Sequence, residues 1–173
     1  DTNGSFPDVL QELIEEQLKL GNQVLFLLPE IALTTQLIQR LDAYFGDKIG
    51  VYHSKFNQNE RVEIWNHILH DHPERYRIVL EARASMFLPF QKLGLVIVDE
   101  EHESSFKQYD PSPRYNARDA SIVLAKSFNA KVLLGSATPS IETYYNAKTN
   151  KYGLVTLDKR HGGLALPEVF CAD

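Results

Sequence analysis

Gly94-Leu95-Val96-Ile97-Val98-Asp99-Glu100-Glu101-His102 passes in one step from an unbroken apolar run to four titratable side chains. A run this short and apolar at every position reads as a strand buried on both faces. The pattern recurs at residues 23–28, cut off by Pro29, and in shorter form at 49–53, 77–80 and 131–135. Helical stripes stand between these runs. Val9, Leu10, Leu13, Ile14 and Leu18 form the first, behind Ser5 and Asp8 as a capping pair and ahead of Gly21. Leu33, Leu37, Ile38, Leu41, Tyr44 and Phe45 form the second, and Ile64, Trp65, Ile68 and Leu69 the third, behind Asn57 as cap. Further helices are predicted over 117–128 and 140–148, and a last strand over 154–157. Apolar strands alternating with helices define an α/β fold, a mainly parallel sheet with helices on both faces. Functional groups of such sheets gather at the carboxyl ends of the strands.

The 173 residues carry 18 Lys and Arg against 23 Asp and Glu, a net charge of −5. Five of the acids, Asp1, Asp8, Glu12, Glu15 and Glu16, lie in the first sixteen residues with no base among them, so the remainder is neutral. A global basic excess for nucleic acid is absent, and any such surface must be local. One cysteine, Cys171, makes neither an internal disulfide nor a cysteine zinc site. No membrane-length apolar run and no signal peptide are found, so a cytoplasmic protein without a membrane partner is expected.

Asp99 and Glu100 at a strand's carboxyl edge can hold Mg²⁺ and orient water toward a phosphoryl group. Solvated acids ending a strand are the plainer alternative. A second strand end, Gly135-Ser136-Ala137-Thr138-Pro139-Ser140, offers small hydroxyls that can sense what the acids hold. The longest aperiodic stretch is 104–116, and between Ser104 and Arg118 the aromatics Phe106, Tyr109 and Tyr115 stand among Lys107, Arg114 and Arg118, with Asp110 the one acid. Aromatics for base stacking among phosphate-binding cations suit a single strand. Equally, Phe106 and Tyr115 could pin the loop to the core while Arg114 and Arg118 pair with acids. His67, His70 and His72, near a helix end, read as a solvated face rather than a metal site.

The DEEH and GSATPS strand ends resemble motifs II and III of superfamily 2 helicases. Residues 29–34 (PEIALT), His53-Ser54, Glu60-Arg61, 82–85 (ARAS) before 87–90 (FLPF), 105–108 (SFKQ) and 114–119 (RYNARD) resemble, more narrowly, the bacterial primosomal replication-restart helicases. The resemblance implies the first RecA-like lobe (P-loop NTPase type) of an ATP-dependent 3′-to-5′ DNA helicase. Residues 1–165 would form that lobe and 166–173 begin the connection to a remainder. Asp99 would bind Mg²⁺, Glu100 polarise the attacking water, and His102, with Glu101 beside it, belong to the nucleotide-coupling site. Gly135, Ser136, Ala137 and Thr138 would couple nucleotide state to DNA. Pro29, Glu30, Thr34 and Arg83 would lie on the DNA-facing surface, and the loop with Phe106, Lys107, Tyr109, Arg114 and Tyr115 would link DNA to hydrolysis. The implied cofactors are ATP and Mg²⁺, with zinc belonging elsewhere in the parent. The implied partners are DNA as single strands and forks, replication-restart proteins and single-strand-binding protein.

Departures accompany the likeness. Where the family has Gly-Lys-Thr, Phe6 and Pro7 fall at the lysine and threonine positions. Neither can cradle phosphate, so an altered or missing loop at 1–8 and weakened ATP binding are expected. Glu81 replaces a usual glycine and would set an acid toward the DNA path. A second motor lobe with its arginine finger lies outside the sequence, so the isolated chain is expected to be inactive. Two other classes remain open: a non-catalytic single-strand or protein binding module, and a Mg²⁺ nuclease built on Asp99, Glu100 and Glu101.

Overall fold

The computed structural model describes residues 6–29, 32, 35–52, 57–81 and 83–156, with side chains from Val9 onward. Five helices, α1 (Phe6–Lys19), α2 (Thr35–Phe45), α3 (Gln58–Leu69), α4 (Ala117–Ser127) and α5 (Ile141–Lys148), alternate with the strands. The strands are β1 (Gln23–Leu27), β2 (Ile49–Val51), β3 (Ile78–Glu81), β4 (Leu93–Val98) and β5 (Lys131–Leu134). They pair in the order β2-β3-β1-β4-β5, every pair parallel.

Successive side chains of a strand point to opposite faces, and the strands here use both. On one face Val24, Phe26, Ile78, Leu80, Leu95 and Ile97 pack with Leu10 and Ile14 of α1 and, from α2, Leu37 and Leu41. On the other, Leu25, Leu27, Val79, Val96 and Val98 meet Ile64 and Ile68 of α3 and Ala117 and Ala125 of α4. This two-sided burial explains why β1, β3 and β4 read as continuous apolar runs.

Local signals fall where expected. Gly21, at φ +74°, ends α1 in a conformation that side chains resist. The Asn57 side chain accepts the Asn59 N–H as the cap of α3, and the Asn116 side chain accepts those of Arg118 and Asp119 at α4. Gly94 is required by close approach, because a Cβ there would meet the Asn22 Cβ at 2.7 Å, with the Gln17 Oε1 also in the way.

One expectation fails. Residues 153–156 carry no regular structure where a strand was expected over 154–157, and Leu157 lies outside the described residues. Among the described residues β5 pairs with β4 alone, so its outer edge is open, and residues 153–156, all exposed, leave that edge unpaired.

Candidate functional site

The Asp99 N–H donates to the Leu27 carbonyl at 3.0 Å, which carries the β4 register one residue past the strand. The chain then turns sharply, with Glu100 at φ +48°, a conformation uncommon for a non-glycine residue. Asp99 is left at the rim of the sheet, where its Oδ1 accepts the Glu100 N–H at 3.0 Å. Burial pushes the Asp99 carboxyl above its usual range, and the neighbouring Glu100 charge adds to the rise against that one hydrogen bond. The Glu100 side chain stays substantially exposed.

Glu101 faces inward and is 2% exposed. Its carboxylate accepts four hydrogen bonds: Ser140 N–H at 2.6 Å, Ser140 Oγ at 3.0 Å, Thr143 Oγ1 at 2.9 Å and Arg118 Nη1 at 3.0 Å. Burial raises the Glu101 carboxyl, but these donors outweigh it and hold the group below the usual carboxylate range. The Glu101 N–H donates to the Gly135 carbonyl at 3.0 Å, and the Gly135 N–H to that of Val98 at 2.8 Å, so the ends of β4 and β5 are laced together. Ser140, Thr143 and Arg118 escaped the sequence reading of this centre. The available signal was Ser140 itself, which caps α5 by accepting the Thr143 N–H.

His102 joins the two strand ends on the open side. Its Nδ1 lies 2.8 Å from the Ser136 Oγ and its Nε2 3.4 Å from the Thr138 Oγ1, while the Thr138 N–H donates to the Ser136 Oγ at 3.0 Å. The His102 ring also stands 3.6 Å from the Glu100 carboxylate. Ala137 is exposed at the tip of this turn. Asp99, Glu100, His102, Gly135, Ser136 and Thr138 thus share one rim of the sheet, whereas the Glu101 carboxylate is turned away and saturated. Among the described residues no three His, Cys, Asp or Glu side chains group to hold a metal ion. A nuclease centre needing Glu101 beside Asp99 and Glu100 therefore has no geometry to rest on. His67 and His70 each place Nδ1 against the carbonyl four residues earlier, at 2.8 and 2.7 Å, and His72 accepts the Glu74 and Arg75 N–H groups.

The neighbouring strand ends supply the second surface. Pro29 is buried after β1, while Glu30 and Thr34, like His53 and Ser54, lie outside the described residues. Glu81 does not face outward as expected. It is buried and accepts the Ser85 N–H at the start of a 3-10 turn, Ala84–Phe87. Burial raises the Glu81 carboxyl, with the Ser85, Ala84 and Arg83 N–H groups only partly offsetting it. A turn opening on unpaired N–H groups recruits an acid as its cap, which draws Glu81 out of the solvent.

The loop after the acidic cluster divides its aromatics. Phe106 is 1% exposed and belongs to the core, so its expected place on the nucleic-acid face is overturned. Tyr109 is 68% exposed. Tyr115 is half-buried, donating its hydroxyl to the Arg83 carbonyl at 3.3 Å. Lys107 Nζ donates to the Arg114 carbonyl at 2.7 Å, Arg83 Nη1 reaches the Lys107 carbonyl at 3.5 Å, and Gln108 Nε2 donates to the Pro111 and Pro113 carbonyls. Arg114 is exposed, but Arg118 is committed to Glu101 and Asp119. Exposed Tyr109 and Arg114, with Lys107 and Arg83 behind them, remain as candidate contacts.

Residues 6–147 match the DEAD/DEAH box helicase family, and the chain belongs to it. The five-stranded parallel sheet is accordingly the RecA-like lobe of that family. Narrower relatives carry the name replication restart protein PriA. That of Chlamydia trachomatis serovar D is 40% identical over 99% of this chain, that of Haemophilus influenzae 42% over 99%, and that of Bacillus subtilis 38% over 99%. The chain spans 22%, 23% and 21% of those proteins' lengths, respectively.

Proposed function

We propose that the chain is the first motor lobe of an ATP-dependent 3′-to-5′ DNA helicase that restarts stalled replication forks through primosome assembly. The lobe spans residues 1–165, and 166–173 begin its connection to the remainder of a bacterial, cytoplasmic parent. The reading is carried by the bridge from His102 to Ser136 and Thr138, 2.8 and 3.4 Å long. It ties the strand end bearing Asp99 and Glu100 to a hydroxyl turn on the next strand. A movement of either strand end must change the other through that imidazole.

The donor set fits nucleotide-borne Mg²⁺, since Mg²⁺ keeps most of its waters and takes one or two carboxylates besides phosphate oxygens. Asp99 is the residue that would hold it, with the Glu101 carboxylate already committed. When bound, Mg²⁺ with ATP supplies the phosphoryl group and the charge neutralisation its transfer needs. Glu100, exposed beside Asp99, orients a water. The His102 Nδ1 stands between the carboxylate of Glu100 and the hydroxyl of Ser136. Phe6 and Pro7 offer no lysine and no hydroxyl for phosphate, so nucleotide binding by this chain is impaired and the isolated lobe turns over little ATP.

DNA, as single strands and forks, is the partner of the surface formed by Arg83, Lys107, Tyr109, Arg114 and Tyr115, and the family resemblance assigns the segment with Pro29, Glu30 and Thr34 to the same partner. Replication-restart proteins and single-strand-binding protein are partners of the parent. At low salt, Arg114→Ala combined with Tyr115→Ala is expected to weaken binding of a labelled single-stranded oligonucleotide by about tenfold or more, from one lost phosphate contact and one lost ring. Fluorescence anisotropy measures this. Unchanged affinity in the double variant would remove the loop from the nucleic-acid face.

A further inference from the structure

We infer that Phe87 is a stacking platform for an unpaired nucleobase, an assignment that rests on the nucleic-acid face proposed above. Phe87 is 56% exposed, although Met86 and Leu88 on either side of it are 8% and 5% exposed. A turn that buries Met86 and Leu88 and presents the one phenyl ring between them to water gives that ring no role in the core. The ring is nonetheless fixed. It meets the Tyr115 ring edge to face, with centroids 5.1 Å apart and planes at 83°. Tyr115 in turn donates to the Arg83 carbonyl, and the Arg83 guanidinium reaches the Lys107 carbonyl, so turn and loop form one unit.

The setting selects the ligand. A large apolar ring alone would suit an apolar protein surface, but this one stands on a turn beginning at Arg83, against a loop that contributes Lys107 and Arg114. The acid closest in sequence, Glu81, is withdrawn into the core beneath the turn. Asp110 is the loop's one exposed acid against Lys107 and Arg114, with Arg83 on the turn, and flat apolar area set among an excess of cations matches a base and its flanking phosphates. A paired base offers no face to such a ring, so the site discriminates single strands from duplex.

The test is anisotropy with a labelled oligothymidylate and a duplex of equal length, supported by the fluorescence of one 2-aminopurine placed in the single strand. Phe87→Ala is expected to weaken single-strand binding by about tenfold, the loss of one stacked base, and to leave duplex affinity within about twofold. Phe87→Tyr is expected to restore affinity and 2-aminopurine quenching, whereas Phe87→Leu, which keeps bulk without a π face, restores neither. The slope of affinity against salt stays unchanged because no phosphate contact is removed. Equal single-strand affinity in wild type and Phe87→Ala, or rescue by Phe87→Leu, overturns the stacking assignment and leaves the ring as a protein contact. Failure of the wild-type chain to bind the oligothymidylate at low salt overturns instead the nucleic-acid face itself.

Discussion

Replacing Glu101 by alanine lowers the unfolding free energy by about 3 kcal/mol, the loss expected when one partner of a buried ion pair is removed. The substitution leaves the Arg118 guanidinium, whose side chain is 14% exposed, with the exposed Asp119 as its remaining carboxylate, beside the Ser140 Oγ and the backbone carbonyl at position 101. It also orphans the Ser140 N–H at the start of α5 and removes the acceptor shared by Ser140 Oγ and Thr143 Oγ1. The carboxylate joins the end of β4 to α4 and α5, so the loss spreads to those three elements together. Glu101→Gln keeps an acceptor oxygen and is expected to lose roughly half as much, through the charge-assisted bond to Arg118. Urea unfolding followed by circular dichroism measures both. A change below about 1 kcal/mol for Glu101→Ala would mean that Arg118 and Ser140 find solvent or other partners without strain.

The pH dependence of the same group has a definite sign. Its folded carboxyl sits below the usual range, so the unfolded chain takes up the proton first as pH falls. The stabilisation from Glu101 is present above the ordinary carboxylate value and is lost as pH falls through the depressed folded value. Asp99 and Glu81 are raised instead, so they oppose folding at neutral pH and that opposition is relieved as acid protonates them. Glu101→Gln should therefore flatten the acid limb of the stability profile, whereas Asp99→Asn should leave that limb and raise the neutral plateau.

Phe106→Ala is the second large effect, about 3–5 kcal/mol of stability through a cavity between β4 and α4. Phe106 packs with Val98, Ala117 and Ala125 in the core. Tyr109→Ala, three residues on and 68% exposed, is expected to stay within about 0.5 kcal/mol of wild type. Thermal melts of the two variants side by side check the contrast. Similar melts would show that the loop is not divided between core and surface as its exposures indicate.

That contrast marks what could be read from the sequence. Period and burial gave the alternation of strands and helices, because strands covered on both faces must be apolar throughout. The rim residues Asp99, Glu100, His102, Ser136 and Thr138 were legible for a related reason, since a strand end is where an apolar run stops. Loop aromatics carry no such period, and nothing in Phe106-Lys107-Gln108-Tyr109 says which ring turns inward. Glu81 was misplaced because its hydrogen-bond donors, the N–H groups at the start of a 3-10 turn, are brought together only after the turn forms. The Glu101 centre joins residues up to 42 apart in sequence, and no local pattern announces a contact of that kind. The strand expected over 154–157 failed because its apolar residues Leu154 and Val155 are 52% and 76% exposed and leave the open edge of β5 unpaired, and a short apolar run does not say whether it will find a sheet.

On the proposed function, the motor lobe retains its acidic and hydroxyl strand ends while its phosphate cradle is altered. Calorimetric titration of Mg-ADP into this chain, beside a variant with Phe6→Lys and a glycine-rich loop in front of it, separates the two parts. Binding is expected in the variant alone, since backbone N–H groups and a lysine supply the phosphate contacts that Phe6 and Pro7 lack. Equal binding to both chains would contradict it, placing the phosphate site somewhere other than the start of α1.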